Sequence, residues 1–311
     1  MSHFKNYLSL VKFSHTLFAL PFAMIGFFLG LYKSLGYPGQ WNLNQTIGWG
    51  WDVTHFVFSN IAFKFALVLV CMVTARSAAM AFNRYLDRHF DARNPRTAIR
   101  EIPRGIIAPN SALRFVLVCS VLFIAACWFI NPLCFFLSPV ALFIILFYSY
   151  TKRFTALCHL VLGIGLSLAP IGAFLAVTGR FELLPLLFSG AVICWVSGFD
   201  IIYAMQDIDF DKSENLVSIP TTVGKERSLF ISIFLHILSA IFVISAGFIG
   251  EFGGWYWVGI LLFGGMLVYQ HMIVKPNDLS RVNLAFMTAN GIASVVFALF
   301  VITDIFITHK H

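Results

Sequence analysis

Charge is scarce in this chain: of 311 residues only 11% are Asp, Glu, Lys or Arg, and just 14 are acids. A soluble domain of this size carries about a quarter charged residues, so a water-soluble globular enzyme is excluded. Cysteine pairs at metal-ligand spacing are also missing. Cys71, Cys119, Cys127, Cys134, Cys158 and Cys194 stand apart with no C-x-x-C among them, which leaves them as small apolar packers. No nucleophile elbow, Gly-rich phosphate loop or His/Cys cluster occurs, and His159, His236 and His271 read as isolated packed or interfacial side chains.

What fills the chain is apolar: 59% of residues are hydrophobic. Runs long enough to cross a hydrocarbon core of ~30 Å recur throughout. Nine spans are expected, at roughly 15–33, 64–86, 113–130, 133–150, 157–178, 183–205, 228–249, 255–274 and 285–307. The first follows Lys5 and Lys12 but is long, contains Pro21 and lacks a convincing small-residue cleavage site, so it reads as a retained helix.

Orientation follows from the basic residues. With the N-terminus inside, the cytoplasmic segments hold Lys5 and Lys12, then Arg84 through Arg114, Lys152 and Arg153, Lys212, Lys225 and Arg227, and finally Lys275 and Arg281. The other side has only Lys33, Lys64, Arg180 and Lys310, which places the C-terminus outside and points to the inner, cytoplasmic membrane. A pI near 9.2 therefore suits anionic lipid headgroups, and no nucleic-acid partner is expected.

No soluble domain is visible, and residues 1–311 read as one transmembrane domain. The longest polar connections are about 35–63 and 87–112. The first, with Tyr37-Pro38-Gly39 and Trp41, Trp49 and Trp51, suits an outer interfacial segment, whereas the second is rich in Arg. Gly163, Gly165, Gly172, Gly264 and Gly265 suit close helix packing.

The acids are grouped. Asn83, Asp87 and Asp91 fall four residues apart at the end of one span, and at ~100° per residue they line one helical face. Asp200, Tyr203, Asp207 and Asp211 repeat the pattern at the end of another, with Asp209 pointing away. This approximate internal repeat predicts two pseudo-equivalent Asp-rich halves facing a shared cavity. Hard oxygen ligands on two facing helices suit Mg²⁺, which favours carboxylates together with phosphate oxygens. Metal ions so held would neutralise the charge that builds on a departing diphosphate.

Arg76 lies inside a span two turns before Asn83. Its helical phase predicts that it projects into the same cavity, toward a diphosphate or an acceptor carboxylate. Tyr148 and Lys152 share a face at the end of a further span, and could approach the diphosphate from a third direction.

The segments N-x-x-x-D-x-x-x-D (Asn83, Asp87, Asp91) and D-x-x-Y-A-x-x-D-x-x-x-D (Asp200, Tyr203, Ala204, Asp207, Asp211) resemble those of the UbiA superfamily of intramembrane prenyltransferases. Asn94-Pro95-Arg96-Thr97 and Tyr148 with Thr151-Lys152-Arg153 support the resemblance, which covers essentially the whole chain. It implies an all-α membrane protein, nine helices around a central cavity open to lipid, with two Mg²⁺ and a polyprenyl diphosphate at the acids.

Within the superfamily, Tyr203-Ala204 and the start Ser14-His15-Thr16-Leu17-Phe18-Ala19-Leu20-Pro21 look closest to 4-hydroxybenzoate polyprenyltransferases of quinone biosynthesis. The implied metal ligands are Asn83, Asp87, Asp91, Asp207 and Asp211, with Asp200 binding or orienting one. Arg76, Lys152, Tyr148 and Tyr203 would steady the diphosphate or an aromatic acid acceptor. A 1,4-dihydroxy-6-naphthoate acceptor would need almost the same site. A cation-coupled transporter is the alternative of another class, although its acids would sit near the midplane and not at helix ends. The D-G-x-x-A-R core of the CDP-alcohol phosphotransferases is missing.

Overall fold

A computed structural model describes residues 3–11, 19–35 and 57–308. Lys12, the Ser14–Phe18 part of the first span, Tyr37-Pro38-Gly39, the outer tryptophans 41, 49 and 51, and Lys310 lie outside the described residues.

The elements are α1 (His3–Leu10), α2 (Leu20–Leu35), α3 (Val57–Leu86), α4 (Arg88–Arg93), α5 (Pro109–Ile130), α6 (Pro132–Thr151), α7 (Cys158–Thr178), α8 (Leu183–Ala204), α9 (Ile208–Ser213), α10 (Ile219–Ile249), α11 (Gly254–Ile273) and α12 (Asn290–Thr308). A π-helical turn, Leu284–Ala289, leads into α12. Among the described residues eight helices are long and apolar enough to cross a membrane. The first expected span, 15–33, is described only from residue 19 onward, where a shorter apolar helix, Leu20–Ser34, stands, so the count of nine is not reached among the described residues.

Helix starts depart from hydropathy: α3 begins at Val57, not near 64, and α5 at Pro109, not near 113. α10 starts at Ile219, not near 228: the Ser218 and Thr221 side chains cap each other's backbone N–H, and Pro220 occupies the first turn. Lys225, Glu226 and Arg227 hide this turn from a search for apolar runs. Gly224, at φ 80 and ψ 174, kinks the helix just before them, a backbone state open mainly to glycine. The acid-bearing helices are also broken. α3 ends at Leu86 and α4 resumes after Asp87, yet Asp91 N–H still donates to Asp87 C=O at 2.7 Å, so the acids stay one turn apart. α4 stops where Asn94 turns extended ahead of Pro95.

Most helices pack on their chain neighbours, and α2 touches both α7 and α12 and so joins the two halves. Lipid tails give apolar helices little reason to associate, so close fit and interhelical hydrogen bonds carry the load. A Cβ at Gly163 would lie 2.6 Å from Ile193 C=O, which is why α7 and α8 meet there; Gly172, Gly264 and Gly265 have no such neighbour and are not close-packing sites. Ser189, Ser232 and Ser239 donate across helices to the carbonyls of Ser167, Gly198 and Ala191 at 2.8, 2.8 and 2.9 Å. Such bonds contribute about 0.6 kcal/mol each. The C-terminal half centres on buried Phe188, Trp195, Tyr256, Phe263 and Phe297, while Phe230, Phe248 and Leu261 project outward as expected for a lipid-facing surface.

Two buried polar groups proved structural. Asp304, fully buried in α12, caps α11 by accepting from Gly253 N–H at 2.7 Å and Tyr256 N–H at 3.2 Å. His236 and His271 are not isolated: His236 Nδ1 lies 2.8 Å from His271 Nε2, and its Nε2 lies 3.2 Å from Trp195 C=O.

Candidate active site

One cavity opens where the two broken helices face each other. Asn83, Asp87 and Asp91 reach it from α3 and α4, and Asp200, Tyr203, Asp207 and Asp211 from α8, α9 and the 3₁₀ turn between them. Tyr148 and Lys152 enter from α6, and Arg76 from deeper in α3. Every residue singled out from the sequence as a site residue thus lines one space, while Asp209 is exposed outside it.

Four of these acids already pair with an arginine or a lysine, and the fifth with a histidine. Arg153 Nη2 lies 2.8 Å from Asp87 Oδ1, and Asn83 Nδ2 donates to Asp87 Oδ2 at 3.0 Å. Arg100 Nη1 donates to both oxygens of Asp91 at 2.8 and 2.9 Å. Asp207 accepts from Arg96, through Nε at 2.9 Å and through Nη2, and from Asn94 Nδ2 at 3.3 Å. Lys152 Nζ lies 2.8 Å from Asp211 Oδ2. His159, only 3% exposed, holds Asp200 through Nδ1 at 2.7 Å, so it is a site residue and not an isolated packed histidine.

These partners are what sequence reasoning missed. Arg100 stands in the sequence only as one of the basic residues that set orientation, and Arg96 and Arg153 also as parts of the segments that resemble the family's; none of the three announces an acid partner, since a topology rule treats every loop arginine alike. A second signal was present: more arginines crowd 84–104 than orientation requires. The same segment is laced to the second half, because Arg93 pairs with Glu214 at 2.9 Å and Arg96 with Asp207.

The crowding of charge acts on its members. Burial pushes the Asp87 carboxyl above its ordinary range, and nearby Asp91 adds to this, although Arg153 pulls the other way. For Arg96 burial opposes the charge, but the hydrogen bonds and attraction from Asp207 and Tyr203 outweigh it and leave its pKa raised.

The donor set is all oxygen, from carboxylates and one amide, which is the chemistry of a hard divalent cation. Asp211 Oδ1 is buried with no hydrogen-bond partner among the described residues, a position that a metal ion would satisfy. Among those residues no three acids, histidines or cysteines converge into a ready-made cage. Mg²⁺ fits that arrangement, since it uses one or two carboxylates plus substrate phosphates and water.

Below this polar layer a second, apolar cavity runs among α3, α5, α6 and α7 toward the Ile130, Cys134 and Phe181 end. The two spaces share Arg76, Met80, Tyr148, Leu162 and Leu166. Arg76 therefore stands at the junction of charge and hydrocarbon. Its Nε is buried without a hydrogen-bond partner, and no carboxylate among the described residues pairs with it.

Comparison with known proteins agrees with this architecture. A 4-hydroxybenzoate octaprenyltransferase from Tolumonas auensis is 29% identical over 239 residues, covering 76% of this chain and 83% of that protein. The apo structure of a UbiA homolog from Aeropyrum pernix superposes with a TM-score of 0.74 at 28% identity, over 94% of this chain and 98% of that one. A UbiA homolog from Archaeoglobus fulgidus, solved bound to DMAPP and Mg²⁺, shares the fold with a TM-score of 0.65 at 19% identity, over 97% and 99% of the two chains. Residues 46–292 match the model of the UbiA prenyltransferase family, and with paired acid segments at the mouth of an intramembrane cavity, this multi-pass membrane protein belongs to that family.

Proposed function

We propose that this protein transfers a polyprenyl group from its diphosphate to a ring carbon of a 4-hydroxybenzoate-type aromatic acid, in ubiquinone or menaquinone biosynthesis. One observation carries the reading: a charged cavity edged by two acid pairs and by Arg96, Arg100, Lys152 and Arg153 continues, past Arg76 and Tyr148, into an apolar one. A diphosphate joined to a long hydrocarbon has that same division. The Tolumonas relative is named for this reaction, and the Archaeoglobus homolog holds a prenyl diphosphate with Mg²⁺.

Asn83, Asp87 and Asp91 on one wall and Asp207 and Asp211 on the other would hold Mg²⁺, which when bound neutralises the diphosphate and makes it a better leaving group. Asp200, fixed by His159 and two turns deeper along the helix than Asp207, serves better to orient than to share an ion with it. The basic residues that pair with the acids, Lys152 among them, are then free to take the diphosphate oxygens, and the Tyr203 phenol stands beside them. The C–O bond breaks with its electrons leaving on the diphosphate, the electron-rich ring carbon ortho to the phenol bonds to the allylic carbon, and the ring proton departs. Arg76 would fix the acceptor carboxylate or the diphosphate, and Tyr148 the same junction. The apolar walls keep water from the allylic cation, which would otherwise yield prenol.

We read residues 1–311 as one such domain in the cytoplasmic membrane, its charged mouth on the cytoplasmic side, as the arginine-rich loops favour. The test is direct: purified protein in nanodiscs with Mg²⁺, geranyl diphosphate and either 4-hydroxybenzoate or 1,4-dihydroxy-6-naphthoate. Release of diphosphate together with a prenylated ring, identified by mass, is the expected result. Neither product with any acceptor would overturn the reading.

A further inference from the structure

The π-helical turn Leu284–Ala289 has a buried cause and an effect inside the cavity. A π-turn takes up one extra residue, is rare, and is found frequently at functional sites. Here Asn290, fully buried, pins it: Nδ2 donates to Ala285 C=O at 3.0 Å and to Phe286 C=O at 3.2 Å. Its Oδ1 accepts from Trp195 Nε1 of α8 at 2.9 Å and from Gln270 Nε2 of α11 at 3.4 Å. All four hydrogen-bonding positions of one amide are thus used, two on the turn and two on the helices flanking it.

The turn sets the phase of Phe286, which lines the charged cavity. Its ring lies against Tyr203 with centroids 4.3 Å apart, and edge-on to Phe199 at 5.4 Å. Tyr203 in turn holds Arg96: Nη1 donates to the phenol oxygen at 2.7 Å, and the guanidinium carbon sits 5.2 Å from the ring centroid. If Asp207 takes a metal ion, Arg96 gives up its carboxylate partner and keeps only the tie to Tyr203 among the contacts that aim it into the cavity.

We propose that Asn290 is a positioning residue for the diphosphate. It maintains the π-turn that drives Phe286 against Tyr203, and the braced Tyr203 keeps Arg96 directed at the substrate phosphates; this rests on the prenyltransferase reading above. Without the amide, the turn relaxes toward an α-helix one residue out of register, which rotates Phe286 by about 100° away from Tyr203.

The test is the affinity of the full-length chain in nanodiscs for geranyl diphosphate with Mg²⁺, by titration calorimetry. Asn290→Ala and Phe286→Ala are each expected to weaken binding about tenfold, with the double variant no weaker than either single one, because they act through one contact. Unchanged affinity in Asn290→Ala, or losses that multiply in the double variant, would overturn the proposal; so would a lower melting temperature with affinity intact. Should Asn290→Ala fail to fold, the cycle of Phe286→Ala with Arg96→Lys decides in the same way, coupled losses supporting the relay and independent ones refuting it. Wild-type protein that does not bind Mg²⁺ and geranyl diphosphate would overturn the prenyltransferase reading itself, and this inference with it.

Discussion

Arg96 and Asp207 lie 111 residues apart and meet through two guanidinium nitrogens, joining the loop after the first acidic segment to the heart of the second. The two halves are thus locked at their charged ends by the groups that substrate and metal would recruit. Binding has to exchange one set of ion pairs for another, with no net exposure of a bare buried charge.

Replacement of the cavity acids tests the metal assignment. Asp87→Ala and Asp207→Ala should each lower kcat/KM by roughly a hundredfold or more, the scale of losing one electrostatic anchor of a transition state. Membrane insertion and elution as a single species should be unchanged. Asp209→Asn, whose side chain is exposed outside the cavity, should stay within a few-fold of wild type in the same assay.

Arg76→Lys keeps the charge and loses the planar pair of donors. Activity should fall by roughly 1–3 kcal/mol of transition-state stabilisation, and Arg76→Ala should be worse. Comparing 4-hydroxybenzoate with an uncharged phenol locates the contact. A selective loss with the acid marks a carboxylate partner, and an equal loss marks the diphosphate; wild-type kinetics with both would refute either role.

Lys152→Met strands Asp211, whose side chain is 1% exposed. Lys152 itself is partly solvated, so the destabilisation should sit below the full buried-pair value, at about 1–3 kcal/mol. In metal-free buffer the variant should melt below Lys152→Arg, and Mg²⁺ should raise the melting temperature of Lys152→Met by more than it raises that of wild type. Scanning fluorimetry with and without Mg²⁺ reads both, and equal Mg²⁺ responses would remove Asp211 from the metal site.

Single cysteines at Ile106 and Ser213, both exposed, report orientation in a background freed of the native thiols. Both should react with an impermeant maleimide only after the membrane is opened. Labelling in intact cells would invert the topology.

Helical periodicity was enough to gather Asn83, Asp87, Asp91, Asp200, Tyr203, Asp207 and Asp211 around one space, because a turn of helix is a local quantity that survives the breaks at Asp87 and after Ala204. Partners set by distant folding were not legible. Nothing near Asp200 in sequence announces His159, and the segment holding Arg96 does not say which acid it will meet until Asp207 lies beside it. The π-turn was equally hidden, since Leu284–Ala289 is as apolar as the α-helix it interrupts, and only the amide of Asn290 betrays it. The start of α10 could have been read, for Ser218-Ile219-Pro220-Thr221 is a helix-entry signal that an apolar-run search does not weigh.

The cap that Asp304 places on α11 has a temporal meaning. Membrane helices are laid down in the order of synthesis, so the start of α11 reaches the bilayer before the residue that satisfies its N–H groups has been made. Each such group left buried without a partner carries a penalty of about 1–3 kcal/mol. A nascent chain halted before α12 thus lacks the carboxylate that completes the start of α11, and that joint closes only once α12 has been made.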